Sequence, residues 1–256
     1  MSSPTPEQWN VLQRRATEFG ADLQPAQLNQ LAAYFRLLCQ WNQRFNLSAL
    51  HDSQEILEKH CLDSLSCLLL PEIRQATSLV DVGAGAGLPG LPLKIVRPSL
   101  RLTLMDSRRK CHRFLTAAVA ELALPNVQTL PTRAEIAGRE PSHRERYAVA
   151  VARALAPMPT LIEWLLPLVA PGGAAVAMKG PAVGPELAAA APAIAALGGG
   201  APRVIQLTLP ETDIQRSLVV VPKVAPTPAA LPRRPGAARK RPLSVELARR
   251  LTDNES

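Results

Sequence analysis

The stretch LVDVGAGAGLPG, residues 79–90, places four glycines in eight positions directly after a short apolar run. Glycine at that density costs conformational entropy on folding, so packing alone is a poor reason to keep it. Backbone stripped of side chains lets a loop approach a ligand closely. Residues 78–82, SLVDV, predict a strand feeding that loop, and LPGLPLKIV (88–96) predicts the helix that leaves it. A strand–loop–helix unit of this kind is where an open α/β sheet holds its ligand, beyond the carboxyl ends of its strands.

The alternation continues downstream. RLTLMD (101–106) predicts a second strand, 107–124 a long helix with Ser107 as its cap, VQTLPT (127–132) a third strand and YAVAVAR (147–153) a fourth. PTLIEWLLPLV (159–169) predicts a helix stopped by Pro-Gly-Gly, and AAVAMKG (174–180) a fifth strand. Residues 181–203, rich in Ala, Pro and Gly, are expected to form a frayed helix and loop, with 204–210 and 216–223 an antiparallel pair closing the sheet. Strand and helix alternating at crossover spacing predict a parallel sheet covered on both faces. Ahead of it, 25–45 carries Leu28, Leu31, Phe35 and Leu38 at helical steps, with Pro25 suited to a first turn. A second helix is expected over 53–70, capped by Ser53 and followed by Pro71. Trp41 and Phe45 are read as core.

With 47% apolar residues the chain can build a real core, filled by Ala, Leu and Val because aromatics are only 4%. The N-terminal MSSPTPEQWN lacks the basic and apolar regions of a signal peptide. The most apolar stretch, from Leu161 to Met178, is broken by Glu163, two prolines and a Gly pair. A cytoplasmic, monomeric protein without a membrane span is expected. Cys39, Cys61, Cys67 and Cys111 form no CxxC pair, so neither a metal nor a disulfide framework is expected. The net charge is +8, and residues 223–256 hold eight Lys and Arg against three acids. A basic tail on a mildly basic body points to a polyanionic partner or to a solubilising tail.

Three chemistries compete for the glycine loop. A phosphate-binding GxxxxGK[ST] is absent, because Gly87 is followed by Leu-Pro-Gly. Gly85-Ala-Gly87-Leu-Pro-Gly90 matches the bare dinucleotide pattern GxGxxG, which would make the protein an NAD-dependent oxidoreductase. Asp81-Val-Gly83-Ala-Gly85-Ala-Gly87 resembles motif I of the S-adenosyl-L-methionine-dependent methyltransferases, with Asp81 serving the cofactor's positive end directly or through water. Asp106, closing the second strand, can accept both ribose hydroxyl protons of either ligand, or cap the following helix.

Residues outside the loop choose between them. WNQRFNLSAL (41–50), HCLDSL (60–65), DVGAGAGLPGLPLKIV (81–96), DSRRKCHRFL (106–115), TRAE (132–135), ARA (152–154), MKG (178–180) and LPRRPGAARKRPL (231–243) occur in that order. Together they resemble the RsmG (GidB) family, which methylates N7 of one guanine in bacterial 16S rRNA; a non-catalytic rRNA-binding or ribosome-assembly protein that keeps the fold is the alternative. The resemblance implies an α/β, doubly wound, Rossmann-like class I methyltransferase sheet over 76–222. An N-terminal helical extension (1–75) would pack on it, and a basic Pro-rich tail (223–256) would follow. It implies S-adenosyl-L-methionine as cofactor, with Asp81, Gly83, Gly85, Gly87 and Leu88 at the loop, Asp106, Ser107 and Arg108 near ribose, and Ala134 and Glu135 near adenine. Arg153, ending the fourth strand, would hold the methionine carboxylate or a phosphate, or form a sheet-end salt bridge. The implied partner is 16S rRNA or the small ribosomal subunit. Its contacts are expected from Arg109, Lys110 and Arg113, and from Arg233, Arg234, Arg239, Lys240 and Arg241; for Arg113 a solvated helix face is the alternative. His60 and Asp63, three apart on one helical face, either line the guanine pocket or brace the N-terminal helices through a bond within their helix. One departure from the family is Tyr147-Ala148, where Phe-Asp is common, so no role is carried onto it.

Overall fold

The computed structural model describes residues 4–49 and 52–252; Leu50, which ends the 41–50 motif, and residues 253–256 of the predicted tail lie outside the described residues. The strands are β1 (Ser78–Val82), β2 (Arg101–Met105), β3 (Val127–Leu130), β4 (Tyr147–Arg153), β5 (Val169–Lys179), β6 (Arg203–Thr208) and β7 (Gln215–Pro222). They form one sheet in the order β3-β2-β1-β4-β5-β7-β6. β1 to β5 are mutually parallel, and β7 runs antiparallel between β5 and β6. The order reverses between β1 and β4, which opens a crevice at their carboxyl ends.

Both faces of the sheet are buried, which is why the strands read as continuous apolar runs. The period-two alternation sends Leu79, Val149, Val151, Val176 and Val220 to one face, and Val80, Val82, Ala150, Ala152, Val219 and Val221 to the other. The first face is covered by α1 (Pro6–Thr17), α2 (Pro25–Phe45), a composite helix and α5 (Pro71–Gln75), with α6 (Gly90–Val96) and α7 (Arg109–Glu121). The composite helix consists of α3 (Ser53–Ile56), a π turn (Leu57–Leu62), α4 (Asp63–Leu65) and a 3-10 turn (Ser66–Leu69). The second face is covered by α8 (Ala134–Ala137), α9 (Met158–Leu165), α10 (Gly184–Ala196) and the C-terminal segment bearing α11 (Ala237–Lys240) and α12 (Val245–Thr252).

Several local expectations are corrected. Asp52, not Ser53, caps the composite helix, accepting the Glu55 N–H at 2.9 Å. Ser107 caps nothing; α7 starts at Arg109, and its preceding turn is closed by the Asp106 carboxylate, which accepts the Arg108 N–H at 2.9 Å. Pro171-Gly172-Gly173 is a bulge inside β5 rather than a helix stop: Tyr147 pairs with Val169 but Val149 pairs with Ala174. A Cβ on Gly173 would lie 2.3 Å from the Ala148 carbonyl oxygen, so only glycine fits the bulge. Residues 184–196 form a helix, with Pro192 inside it, that buries Ala190, Ala193 and Ile194 against the second face, where alanine-rich sequence shows no clear periodicity. The C-terminal segment is docked, with Leu231, Ala238 and Leu243 buried.

The glycine loop leaves β1 through three glycines in left-handed backbone, Gly83 (φ +69°), Gly85 (φ +59°) and Gly87 (φ +87°). Side chains rarely adopt that region, and a Cβ on Gly83 would strike Leu155 at 2.4 Å. The loop is held from behind on two sides. The buried Tyr34 hydroxyl of α2 donates to the Ala86 carbonyl at 2.7 Å. Asp81, fully buried, accepts the Gly90 N–H through Oδ2 at 2.9 Å, while its Oδ1 has no hydrogen-bond partner.

Burial pushes the Asp81 carboxyl up to about 7, outweighing the lowering effect of the Gly90 N–H. A carboxyl whose folded value lies above its unfolded one binds its proton more tightly in the native state. Its contribution to stability is therefore greatest at low pH and is lost as pH rises from about 4 to about 7. Asp81→Asn keeps the Gly90 bond and does not titrate. In urea melts its stability relative to the unaltered protein should increase from pH 4 to pH 7 and then level off; a pH-independent difference would contradict this.

Candidate active site

At the carboxyl ends of β1, β2 and β4 the structure opens a cleft of about 960 Å³. Gly83, Gly85 and Leu88 of the glycine loop line it, with Asp106, Ser107 and Arg108 after β2, Ala134 and Glu135 at the start of α8, and Arg153 at the end of β4. These nine expected residues meet in one place although 70 positions of sequence separate the first from the last. Two others do not. Asp81 stands behind the loop, tied to the first turn of α6, and is closed off from the cleft. Gly87 also lies outside the cleft, where its missing side chain makes room for Leu91 and Leu115.

Asp106 is 4% exposed and accepts four donors: the Gly85 N–H at 2.9 Å, the Arg108 N–H at 2.9 Å, and Arg108 Nε and the guanidinium terminus at 3.1 and 2.8 Å. Burial would raise its pKa, but the hydrogen bonds from Arg108 and Gly85 outweigh that and hold it below the ordinary carboxylate value. It is therefore an anion at neutral pH, set to accept hydroxyl protons.

Across the cleft, four polar side chains from three distant elements form a network. The Asp63 carboxylate is 2% exposed and joins Arg153 of β4 at 3.2 Å and Arg216 of β7 at 3.0 Å. Arg153 also donates to the Lys59 carbonyl at 2.7 Å and lies 3.3 Å from His60 Nδ1. The same Nδ1 lies 3.1 Å from the Lys59 carbonyl, which only accepts, and Nε2 lies 2.7 Å from Ser48 Oγ, so the ring has a hydrogen-bond partner at both nitrogens. Burial, helped by the positive charge of Arg153, pushes His60 down to about 4, so the ring is neutral at working pH. The sequence left His60 and Asp63 between a guanine pocket and a brace; both line the cleft, and they bridge the N-terminal helix to β4 and β7. The link runs through Arg153 rather than within the helix. The π turn at 57–62, a feature frequent at functional sites, carries His60.

The basic residues expected to meet a polyanion divide. Arg109, Arg113, Arg234, Arg239, Lys240 and Arg241 are exposed. Arg113 lies over the Phe45 ring at 5.8 Å, and Arg239 lies over Trp164 at 5.7 Å. Lys110 and Arg233 are corrected. Lys110 is partly buried and donates to the Phe45 and Asn46 carbonyls at 2.9 and 3.1 Å, closing the end of α2. Arg233, with its side chain 12% exposed, is committed to the fully buried Glu163 through its N–H (3.0 Å) and Nε (2.8 Å). The Arg233 charge is paired, whereas Lys110 keeps its charge but is held against neutral carbonyls. Sequence reasoning missed Lys59, Arg133, Lys179, Arg216 and Trp164, all of which line the cleft. Only the quoted TRAE and MKG motifs touched two of them. Arg216 carried no signal, since its position depends on β7 inserting beside β5. In all, seven Lys and Arg side chains line the cleft against three carboxylates, so its field attracts anions. Among the described residues, no group of three or more His, Cys, Asp or Glu is placed to hold a metal ion, and no helix is long and apolar enough to cross a membrane.

A family model described as rRNA small subunit methyltransferase G (GidB) matches residues 27–216. The chain belongs to the GidB family. The ribosomal RNA small subunit methyltransferase G of Pelotomaculum thermopropionicum is 44% identical over 233 residues, covering 91% of this chain and 98% of that protein. Its counterpart from Moorella thermoacetica is 47% identical over 224 residues, covering 88% and 93%. Among solved structures, the O-methyltransferase TomG of Streptomyces achromogenes, in complex with SAM, superposes with a TM-score of 0.54 at 18% identity, over 88% of this chain and all of that one. That likeness shows the class I methyltransferase fold.

Because Asp63 holds two guanidinium groups in a largely buried site, removing it leaves both without their carboxylate. Asp63→Ala should lower the unfolding free energy by about 3–5 kcal/mol, the cost of breaking a buried ion pair from one side. Guanidinium melts check this, and a change of less than about 0.5 kcal/mol, typical of a surface substitution, would contradict it.

Proposed function

We propose that this chain transfers a methyl group from S-adenosylmethionine to N7 of a guanine in 16S rRNA. One observation carries the reading: in a chain of the GidB family, the glycine loop, Asp106 and Arg153 converge on a single cleft with a surplus of positive charge. The site residues fit an adenosyl donor. Asp106 is the anion for ribose hydroxyls, the left-handed Gly83–Gly85 backbone removes side chains from the approach, and Ala134 and Glu135 sit at the adenine end. Bound there, S-adenosylmethionine supplies an electrophilic methyl carbon.

The residues of the chain have positioning work to do rather than proton chemistry. Guanine N7 carries a lone pair and no proton, so no base must act before the bond forms. Neutral His60 agrees with this, since a cationic imidazole beside a base that gains positive charge would oppose the reaction. Holding the methyl carbon and N7 in line at about 3–3.5 Å is worth roughly 7–11 kcal/mol of barrier in well-oriented systems. Arg153, fixed by Asp63 and the Lys59 carbonyl, suits a carboxylate or phosphate rather than the cationic centre. The exposed Arg109, Arg113, Arg234, Lys240 and Arg241 are the proposed contacts to the RNA backbone, which is held while a single base is splayed out.

The dinucleotide reading is disfavoured by a specific contact. A pyrophosphate needs the free N–H groups at the start of the helix after β1. Here the first of these, on Gly90, is occupied by the Asp81 carboxylate, and Gly87 and Gly90 lie outside the cleft.

Incubation with methyl-labelled S-adenosylmethionine and small subunits from cells lacking the modification tests the proposal. Label should appear on N7 of one guanine of 16S rRNA; incorporation at another atom, or none, would overturn it. Asp106→Ala should raise the Kd for S-adenosylhomocysteine at least about tenfold, the scale of a lost hydrogen bond to a charged group.

A further inference from the structure

Trp164 of α9 lines the cleft beside Glu135, is only 6% exposed, and its indole N–H is buried with no hydrogen-bond acceptor. Buried indole N–H groups ordinarily find a partner, so an unpaired one beside a ligand cleft calls for an acceptor that arrives with the ligand. Three contacts fasten the C-terminal segment against the same spot. Arg233 is locked to Glu163, the neighbour of Trp164 in α9. The Gly236 N–H donates to Glu135 Oε1 at 3.0 Å. The Thr160 hydroxyl donates to the Ala238 carbonyl at 3.3 Å, and the next residue, Arg239, lies over the Trp164 ring and lines the cleft.

We propose that Trp164 and Arg239 form part of the base subsite for the donor's adenine, with the segment from Leu231 to Leu243 serving as its outer wall. An adenine presents ring nitrogens with free lone pairs, which are acceptors for the indole N–H. It also presents a flat face on which a guanidinium can stack in place of, or alongside, the indole. Arg239 then belongs to the donor side of the site and not to the RNA side, although the sequence groups it with the basic cluster of the C-terminal segment. The wall explains why Arg233 is buried against a carboxylate: it pins the segment. The proposal rests on the methyl-donor reading of the cleft.

The test is calorimetric titration of the full-length protein with S-adenosylhomocysteine, together with rRNA binding across a salt series. Trp164→Phe keeps the ring and removes only the N–H; Arg239→Ala removes the cover; thermal melts verify that both fold. Each variant should bind S-adenosylhomocysteine about tenfold more weakly. For Arg239→Ala the slope of log affinity for RNA against log salt should remain that of the unaltered protein, which a lost phosphate contact would reduce by about one. Unchanged S-adenosylhomocysteine affinity in both variants, or a reduced RNA salt slope for Arg239→Ala, would overturn the assignment. Failure of the unaltered protein to bind S-adenosylhomocysteine would instead reject the methyl-donor reading itself.

Discussion

The site depends on how the chain turns after β1. Three glycines in left-handed backbone carry it round, and one hydrogen bond, from the Gly90 N–H to Asp81, fixes where the turn ends and α6 begins. A carboxylate is taken fully out of water to make that bond, which is costly unless the charge is compensated or neutralised. Here burial raises the affinity of Asp81 for a proton, and its second oxygen, unpartnered as an acceptor, is where that proton can reside. Space is equally constrained: a Cβ on Gly90 would lie 2.8 Å from Asp81 Oδ2 and 2.7 Å from Leu104. The acid of motif I thus shapes the loop from behind, and the carboxylate that lines the cleft is Asp106, one strand away.

Around this turn the cleft draws on parts of the chain that sequence order keeps far apart. The N-terminal helices supply Tyr34 behind the loop and His60 and Asp63 beside it. The sheet supplies Arg153 and Arg216, and the C-terminal segment supplies Arg239. The interlocking contacts explain why the extension and the C-terminal segment behave as walls of the site. Lys110 closes the end of α2 from α7, Arg15 of α1 reaches Glu58 at 2.8 Å, and Arg233 reaches Glu163. The exposed Arg109, Arg113, Arg234, Lys240 and Arg241 are the charges that would meet a phosphate backbone in the proposed reading.

Much of this was legible in the sequence where local physics dominates. The strands SLVDV and YAVAVAR are apolar, β-branched or small, and bounded by loop signals, and they form β1 and β4 with the expected limits. The glycine loop and Asp106 follow from strand–loop–helix logic, because each stands at a strand's carboxyl end, whereas Arg153 was implied by the family resemblance. Failures occurred where a local signal meets a tertiary demand. Pro-Gly-Gly at 171–173 reads as a helix terminator but serves a bulge forced by the Ala148 carbonyl. Ser107 has cap chemistry but is exposed, and Asp106 takes the bond. Lys110 and Arg233 look like free basic charge, and only the fold reveals the carbonyls and the buried carboxylate that engage them. Arg216 and Trp164 reach the cleft through strand order and helix docking, neither of which is written in local sequence.

The central claim is that the cleft after β1, β2 and β4 holds an adenosyl donor. A crystal structure of the protein grown with S-adenosylhomocysteine tests it most directly. The account predicts the ribose hydroxyls on the Asp106 carboxylate, displacing the Arg108 guanidinium, the amino-acid moiety along the Gly83–Gly85 backbone, and the adenine between Ala134 and Trp164. Density for the compound elsewhere, or a cleft empty at saturating concentration with Arg108 still on Asp106, would contradict it.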